Sequence, residues 1–364
     1  MTPPHLPVPD STPTPAPSPA RPSLPPTTYA LTDAWPWARP FRLSGWAERN
    51  EFHPLAAALL VLLIAFFLFQ GIGAVAVAVG LAQSVMSGGE LTTDLEALIS
   101  EHGMLLLGAN TVGQWLGFTL LAILVARMST PGWRPFLRLR QPDGLGFVLA
   151  GVGWAVFYPL VLWLGQVNAE LPLPEGIREW EAQQGDVLEM LLMGADLPTW
   201  FLFLTVAITP AVCEELMFRG YLQRQVERGL GLVWSIVIVG VVFGLYHLQL
   251  SKAIPLAALG MYLGFVVWAT GSIWSGVLVH LLNNGFAVMA VAYARSQPDV
   301  DLDAIEAAGI PWYLAAVSAA FTAAVCFAIL QRRRAIVGDT PDAVRAAPAA
   351  DSLTSLPPAS PAHV

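Results

Sequence analysis

Eight apolar runs, each long enough to cross a lipid bilayer, constrain the fold of this 364-residue chain more than any other feature. A helix of about 20 mostly apolar residues crosses the ~30 Å hydrocarbon core of a bilayer. The sequence therefore predicts eight transmembrane helices, with the fourth continuing as a helix beyond the membrane. The runs cover residues 55–82, 103–126, 145–165, 198–218, 232–250, 253–270, 272–294 and 311–330.

Composition supports the same fold class. Only 12% of the residues are charged, whereas soluble domains carry about 25%, so we expect an all-α polytopic membrane protein. The basic residues form no continuous stripe, which argues against nucleic acid as a partner. The two cysteines, Cys213 and Cys326, both fall in apolar runs, so neither a disulfide framework nor a CxxC metal site is expected.

The two ends of the chain differ in composition from the apolar middle. Thirteen of the first forty residues are proline, and such tracts cannot build a hydrophobic core. Residues 1–50 are predicted to be a disordered cytoplasmic tail rather than a signal peptide. The Ala/Pro-rich residues 335–364 are predicted to be a second disordered tail, which leaves residues 51–334 as the transmembrane helical domain.

The distribution of arginine predicts the orientation of the chain. If there are eight crossings, four basic clusters lie on one side of the membrane, while the remaining loops are acidic. By the positive-inside rule, both termini are then cytoplasmic and the protein is a multi-pass protein of the cell membrane. The clusters are Arg39, Arg42 and Arg49; Arg127, Arg134, Arg138 and Arg140; Arg219, Arg224 and Arg228; and Arg332, Arg333 and Arg334.

Ionisable residues inside the apolar runs are the strongest sign of a functional site. A charged side chain at the bilayer centre costs roughly 3 kcal/mol on insertion scales, so two adjacent glutamates in one run need a reason. Two later runs add one histidine each, and the second histidine is followed one helical turn later by an asparagine. The candidate site residues are Glu214, Glu215, Arg219, His247, His280 and Asn284.

Helical spacing indicates how these residues meet. Residues four apart share a helix face, which pairs Glu215 with Arg219, Phe243 with His247, and His280 with Asn284. The turn near Gly231 is sixteen residues from both Glu215 and His247. Both therefore lie roughly 24 Å from the turn, so an antiparallel hairpin places them at one level. The limits of the apolar runs alone place His247 nearer the outer face, and the hairpin is the stronger prediction.

The residue types suit attack of water on a peptide carbonyl. A carboxylate near an imidazole can take a proton from water, while a second histidine and an amide can donate to an oxyanion. No HExxH helix is present, although a metal bound by glutamate and the two histidines remains possible by ligand type. Each group also has a structural interpretation: Glu215–Arg219 as a helix-end ion pair, His247 as an interfacial residue, and His280–Asn284 as an interhelical contact.

Three ordered motifs resemble a known family. Residues Glu214–Arg219 match EExxxR, Phe243–His247 match FxxxH, and His280–Asn284 match HxxxN. In this order on successive membrane helices, they resemble the CPBP family of intramembrane glutamic endopeptidases. That family includes the type II CAAX prenyl proteases and the bacterial abortive-infection membrane proteins. The resemblance covers roughly residues 198–294, which would be the catalytic core.

The resemblance implies a role for each matching residue. Glu214 would be the general base that activates water together with His247, and Glu215 would orient His247 or the water. Arg219 would hold the glutamates in place. His280 and Asn284 would form the oxyanion site. Phe243 is expected to shape the pocket. The spacing itself does not decide which of the two glutamates is the base.

The expected function is that of an intramembrane endopeptidase that cleaves a membrane-associated peptide or protein at a cavity open to the cytoplasmic half. The expected partners are this substrate and the lipid bilayer. No cofactor is certain, and a divalent metal is possible. The alternative is a non-proteolytic scaffold or transporter-like protein that binds a partner in the same polar cavity. Nothing in the residues specifies a prenyl group.

Overall fold

A computed structural model describes residues 29–31, 35, 41–86, 95–194, 197–297, 309–337 and 344–346. Helices dominate these residues, which confirms the all-α fold class. Within this part of the chain, seven helices are long and apolar enough to cross a membrane, and an eighth apolar helix is shorter. The protein is therefore a multi-pass membrane protein.

The first half of the domain contains α1 to α7. Their bounds are Trp46–Arg49 (α1), Pro54–Met86 (α2), Leu95–Gln114 (α3), Leu121–Ser129 (α4), Trp133–Phe136 (α5), Gly144–Ala169 (α6) and Glu175–Glu189 (α7). A π-helical turn, Trp115–Leu120, joins α3 to α4, so that 97–129 form one span.

The second half contains α8 to α14. Their bounds are Thr199–Leu202 (α8), Thr209–Glu215 (α9), Gln223–Leu230 (α10), Leu232–Tyr246 (α11), Ala253–Thr270 (α12), Ile273–Ser296 (α13) and Trp312–Val337 (α14). π-Helical turns at Phe203–Ile208 and Leu216–Leu222 join α8, α9 and α10 into one span, Thr199–Leu230. A further π-helical turn, Met190–Gly194, follows α7, and a 3-10 turn, Leu250–Lys252, precedes α12.

A helix is found at each of the eight apolar runs, and seven of these helices are long enough to cross a membrane. The fourth continues beyond its apolar run to Leu230, as predicted. The fifth run predicts a helix to residue 250, but α11 ends at Tyr246. The reason is local, because Leu248 has a φ of +57°, which cannot continue a right-handed helix. At about 1.5 Å per residue, this 15-residue helix is shorter than the hydrocarbon core.

Small residues let α11 and α12 pack closely. A Cβ atom added to Gly240 would lie 2.8 Å from the backbone nitrogen of Met261, and one added to Gly244 would lie 2.6 Å from the carbonyl oxygen of Ala253. Glycines four residues apart are the usual device for such an approach between membrane helices. The close packing brings the backbone of Gly260 in α12 to the level of the polar residues in the fourth span.

An ion pair between buried Asp143 and partly exposed Arg332 joins the start of α6 to the end of α14. The Asp143 carboxylate caps α6 by accepting a hydrogen bond from the Gly146 N–H at 2.9 Å. Arg332 donates two further hydrogen bonds to the same carboxylate, at 2.9 and 2.8 Å. The hydrogen bond from Arg332 is the main cause of a lowered pKa of Asp143, and it outweighs the opposing effect of burial.

Basic residues in the 127–140 loop also have structural contacts. Arg138 is 1% exposed and pairs with Glu227 at 2.7 Å. Arg224 donates a hydrogen bond from Nε to the carbonyl of Phe136 at 3.0 Å. These arginines therefore hold the loop against α10 in addition to any effect on orientation. The cytoplasmic placement of both termini stays a prediction.

Structured residues flank the predicted 51–334 domain on both sides. The N–H of Gly45, which precedes α1, donates to the carbonyl of Ser129 at 2.9 Å, and Glu48 pairs with Arg228 at 2.7 Å. Three short strands, Tyr29–Leu31 (β1), Phe41–Arg42 (β2) and Val344–Ala346 (β3), form an antiparallel sheet with β1 in the centre. Most of the tails predicted to be disordered lies outside the described residues.

Candidate functional site

The fourth span positions the acidic pair in the middle of the bundle. In the apolar 18-residue stretch of this span, 61% of the residues are buried inside the protein, compared with 22% in the corresponding stretch of α2. Glu214 and Glu215 are the last residues of α9, between the two π-helical turns. Such turns are rare and occur frequently at functional sites, because they redirect side chains within a helix.

Glu215 is fully buried, and one of its two carboxylate oxygens accepts two hydrogen bonds. Its Oε1 accepts a hydrogen bond from Arg219 at 2.8 Å and another from His280 Nδ1 at 3.1 Å. Arg219, also fully buried, donates to the Gly260 carbonyl at 3.0 Å, and its guanidinium carbon lies 4.2 Å from the ring centroid of Phe243. A buried charge pair is tolerated only when further hydrogen bonds of this kind accompany it.

Glu214 lacks the hydrogen bonds that Glu215 makes through Oε1, although Oε2 of Glu215 also has no partner among the described residues. Its side chain is 14% exposed, and its Oε2 lies 3.9 Å from His280 Nε2. That oxygen is buried, and among the described residues it has no hydrogen-bond partner. An unpaired buried polar atom costs roughly 1–3 kcal/mol, and more when charged. Glu214 therefore presents an acceptor that a water molecule or a substrate group would complete.

His247 lies immediately after α11 and is exposed. Its Nδ1 is 2.8 Å from the carbonyl oxygen of Phe243. Because a carbonyl only accepts, Nδ1 carries the proton, and in the neutral ring Nε2 is left as a proton acceptor. The Phe243 ring lies between the two imidazoles, with its centroid 5.0 Å from that of His247 and 5.8 Å from that of His280.

The structure thus changes the expected partner of Glu215. The resemblance implies that Glu215 orients His247 or the water, but in the described part of the chain no hydrogen bond joins His247 to either glutamate. The imidazole in contact with Glu215 is His280. His247 instead packs on the ring of Phe243, which also contacts Arg219 and His280.

Asn284 follows His280 by one turn of α13. Its Nδ2 donates to the carbonyl of Val206 at 3.0 Å, and its Oδ1 accepts from Asn283 at 3.2 Å. One amide hydrogen is thereby used to hold α13 against the fourth span. A cavity of about 40 Å³ lies beside this contact, lined by the apolar side chains of Leu192, Leu202, Val206, Ala287, Val288 and Val291.

Four of the six predicted residues form one contact group, while the other two lie at its edge. His247 joins the group through the ring of Phe243, and Asn284 joins it through the shared face of α13. The members in direct contact are Glu214, Glu215, Arg219 and His280. Phe243 contacts both Arg219 and His280, as expected for a residue that shapes the pocket.

The possible divalent metal is not tested by this arrangement. Among the described residues, no three His, Cys, Asp or Glu side chains converge as metal ligands. Glu215 Oε1 already accepts from Arg219 and His280. A metal at Oε1 of Glu215 would have to displace one of these hydrogen bonds, and the divalent metal stays a prediction.

Sequence reasoning missed Gly276, which lies one turn before His280. A Cβ atom at this position would lie 2.5 Å from Oε2 of Glu215 and 2.6 Å from Cγ2 of Val267. Only a hydrogen atom fits between α13 and the carboxylate. The sequence did offer one signal for this residue, because Gly276 lies one helical turn before the motif residue His280.

We expect Gly276→Ala to lower kcat of the expected peptide cleavage at least about 10-fold, because the new methyl group displaces the Glu215 carboxylate from Arg219 and His280. Overpacking of this kind also costs about 1–3 kcal/mol of stability. Gly108→Ala is the matched control, since a Cβ there meets nothing within 4 Å. The measurement is kcat together with the thermal midpoint in detergent. Equal activity of the two variants would contradict the close contact.

A second missed feature holds the loop after His247. The Glu181 carboxylate of α7, 8% exposed, accepts hydrogen bonds from the backbone N–H groups of Leu250 and Ser251, the latter at 3.1 Å. Asn168 donates to the Leu250 carbonyl at 2.9 Å and accepts from the Ile254 N–H at 2.7 Å. These contacts stabilise the strained positive φ of Leu248 and so fix the end of α11.

Glu181→Gln should therefore destabilise the protein in a pH-dependent way. Burial raises the pKa of Glu181, but hydrogen bonds from Ser251 and Leu250 outweigh burial, and the net pKa is lowered. A lowered pKa gives stability that is present above the ordinary pKa and lost as the pH falls through the folded value. We expect a thermal midpoint about 2–5 °C below wild type at pH 7, with the difference closing below about pH 4.

Exposed Glu179 in the same helix provides the control, because Glu179→Gln removes a charge without removing these contacts. Its thermal midpoint should follow that of wild type at every pH. A constant difference between Glu181→Gln and wild type from pH 7 to pH 3 would show that the carboxylate charge is not what fixes the loop.

Comparison with known proteins supports the family resemblance. A family model described as type II CAAX prenyl endopeptidase Rce1-like matches residues 196–286. The matched segment contains all six candidate site residues. No curated protein and no solved structure matches the chain.

Proposed function

Because residues 196–286 are an Rce1-like domain of the CAAX-type membrane protease family, we propose that this protein is an intramembrane endopeptidase. It would hydrolyse a peptide bond of a membrane-associated protein or peptide with water activated by glutamate. The observation that carries the proposal is the buried Oε2 of Glu214, which has no hydrogen-bond partner among the described residues. This acceptor lies 3.9 Å from Nε2 of His280, in the middle of the membrane bundle.

In the proposed reaction, Glu214 takes a proton from a water molecule while the water oxygen bonds to the carbonyl carbon of the peptide. The carbonyl π electrons move to the oxygen, which becomes an oxyanion. When the tetrahedral intermediate collapses, the C–N bond breaks and the proton held by Glu214 passes to the leaving amine. General base catalysis of this kind contributes about 10²- to 10⁴-fold to a rate.

Glu215 and Arg219 would act on the electrostatics of this step. Arg219 neutralises Glu215, so that the two adjacent carboxylates do not repel each other as like charges. Glu215 in turn accepts the Nδ1 hydrogen of His280, which fixes the imidazole with Nε2 directed toward Glu214. His280 is then held where it can donate to the oxyanion if it is protonated.

His247 and Asn284 would act at the edge of the site. His247 has Nε2 available as an acceptor, which supports a role in holding or relaying the proton of the water. Asn284 has one amide hydrogen that is not used by Val206, which supports a contact with the substrate carbonyl. Both roles are part of the proposal.

The proposal is tested by profiling peptide termini in membranes. Cells producing the wild-type protein or Glu214→Gln are compared by mass spectrometry, and a new terminus that needs Glu214 marks the cut site. A quenched fluorescent peptide built on that site, with and without a farnesyl group and placed in liposomes, is called the test peptide below. Cleavage of it by the purified protein is the expected result.

The binding alternative gives the opposite result. If no terminus depends on Glu214, while the wild-type protein and Glu214→Gln co-purify equally with the same membrane partner, then the protein is a scaffold and the protease proposal is wrong.

A further inference from the structure

A buried hydroxyl of α11 has no role in the steps above. Tyr246 is the last residue of α11 and precedes His247. Its hydroxyl oxygen is buried and, among the described residues, has no hydrogen-bond partner. The ring packs on Phe218, which belongs to the span that carries Glu214. An unpaired buried donor is costly, and phenols inside proteins usually find a partner.

The ring of Tyr246 is held rigidly by three other aromatic rings. The centroids of Phe66, Phe118 and Phe218 lie 5.8, 5.8 and 5.3 Å from its own, all in edge-to-face geometry. These rings come from three different spans. The phenol is therefore preorganised, and its hydroxyl cannot turn away to seek a partner elsewhere.

Two aromatic residues of α11 pack against the span that carries the two glutamates. Phe243 covers Arg219, which follows Glu215 by one turn. Tyr246 packs on Phe218, which follows Glu214 by one turn. On the Glu215 side the aromatic residue is apolar, and Oε1 of Glu215 is already paired with Arg219. On the Glu214 side it carries a hydroxyl, and an unpaired carboxylate oxygen lies in the same region.

We propose that Tyr246 is a further catalytic residue of the proposed endopeptidase, with its hydroxyl donating a hydrogen bond to the carbonyl oxygen of the scissile peptide. The inference depends on the proposed function. A donor without an acceptor fits an oxygen that only the substrate brings. It also supplements Asn284, one of whose amide hydrogens is already used by Val206.

In the reaction, Tyr246 keeps its proton. As the water oxygen bonds to the carbonyl carbon, negative charge develops on the carbonyl oxygen, and the hydrogen bond from Tyr246 strengthens. When the intermediate collapses, the electron pair returns to form the new carboxyl group and the C–N bond breaks. The amine receives the proton that Glu214 took from water. Preorganised donors of this kind contribute about 10²- to 10³-fold to kcat.

Tyr246→Phe tests the inference, because it removes the hydroxyl and keeps the ring. With the test peptide in liposomes, we expect kcat to fall about 10- to 1000-fold, KM to stay within about threefold, and the thermal midpoint to remain that of wild type. Tyr262→Phe is the matched control. Its hydroxyl donates to the Ala150 carbonyl at 2.8 Å, so its loss should lower the thermal midpoint and leave kcat unchanged.

The outcomes separate this inference from the proposed function. If Glu214→Gln is inactive and Tyr246→Phe keeps kcat within twofold of wild type, the role of Tyr246 is wrong and the endopeptidase stands. An equal loss of kcat in Tyr246→Phe and Tyr262→Phe would also overturn the role. If Glu214→Gln remains active, the proposed function itself fails, whatever Tyr246 does.

Discussion

Glu214→Gln is expected to lower kcat on the test peptide by about 10²- to 10⁴-fold while leaving the thermal midpoint unchanged or slightly raised. The amide has nearly the shape of the carboxylate but cannot accept a proton. Because Oε2 of Glu214 has no hydrogen-bond partner among the described residues, its replacement breaks no hydrogen bond of the fold. The variant should therefore bind the test peptide as wild type does.

Glu101→Gln provides the control for a lost carboxylate elsewhere in the membrane domain. Glu101 is largely exposed and accepts a hydrogen bond from Ser84 of α2 at 3.1 Å, and in the described part of the chain it makes no hydrogen bond or ion pair with a candidate site residue. Its kcat should equal that of wild type. Comparable losses in Glu101→Gln and Glu214→Gln would mean that the loss reports folding, and activity of Glu214→Gln within tenfold of wild type would remove Glu214 as the base.

The second large effect is expected for Arg219→Met, which leaves the buried Glu215 charge without its partner. Breaking a buried ion pair on one side costs about 3–5 kcal/mol, because the remaining charge stays desolvated. The thermal midpoint should fall by roughly 10 °C, and kcat should fall at least about 100-fold, since Glu215 can no longer hold His280 in place.

Pairing Arg219→Met with Glu215→Gln separates the two effects. The double variant buries no uncompensated charge, so the thermal midpoint should recover by more than half of the loss caused by Arg219→Met alone. Activity should stay low, because the amide holds His280 less strongly than the carboxylate does. A thermal midpoint that is additive in the two single variants would show that Arg219 and Glu215 are not coupled.

The positions of the membrane helices could be predicted because bilayer thickness imposes a length that apolar runs report directly. The hairpin at Gly231 was predictable from spacing along the chain. Residues at similar distances on either side of the turn should meet, and Phe218 does contact Phe243 and Tyr246. The early end of α11 was not predictable, because the loop around Leu248 is held by a hydrogen bond from distant Asn168 and by hydrogen bonds that the Glu181 carboxylate accepts.

The identity of the polar residues could be read from the sequence, but their pairing could not. Titratable groups in apolar runs stand out by their cost, which identified five of the six candidate residues, and Asn284 was identified by its position one turn after His280. The imidazole that contacts Glu215 is determined by the rotation of the helices and by the size of the Phe243 side chain. Spacing along the chain does not reveal either of these. Tyr246 escaped notice because a tyrosine near the end of an apolar run is ordinary in membrane proteins.

The most direct test of water activation by glutamate is a single-turnover cleavage of the test peptide in water enriched in ¹⁸O. The enzyme, prepared in ordinary water, is used in excess, and the new carboxyl terminus is analysed by mass spectrometry. If Glu214 acts as a base, the first product carries one ¹⁸O atom. A first product that carries only ¹⁶O would show that a carboxylate of the protein attacks the peptide itself, and this would contradict the account.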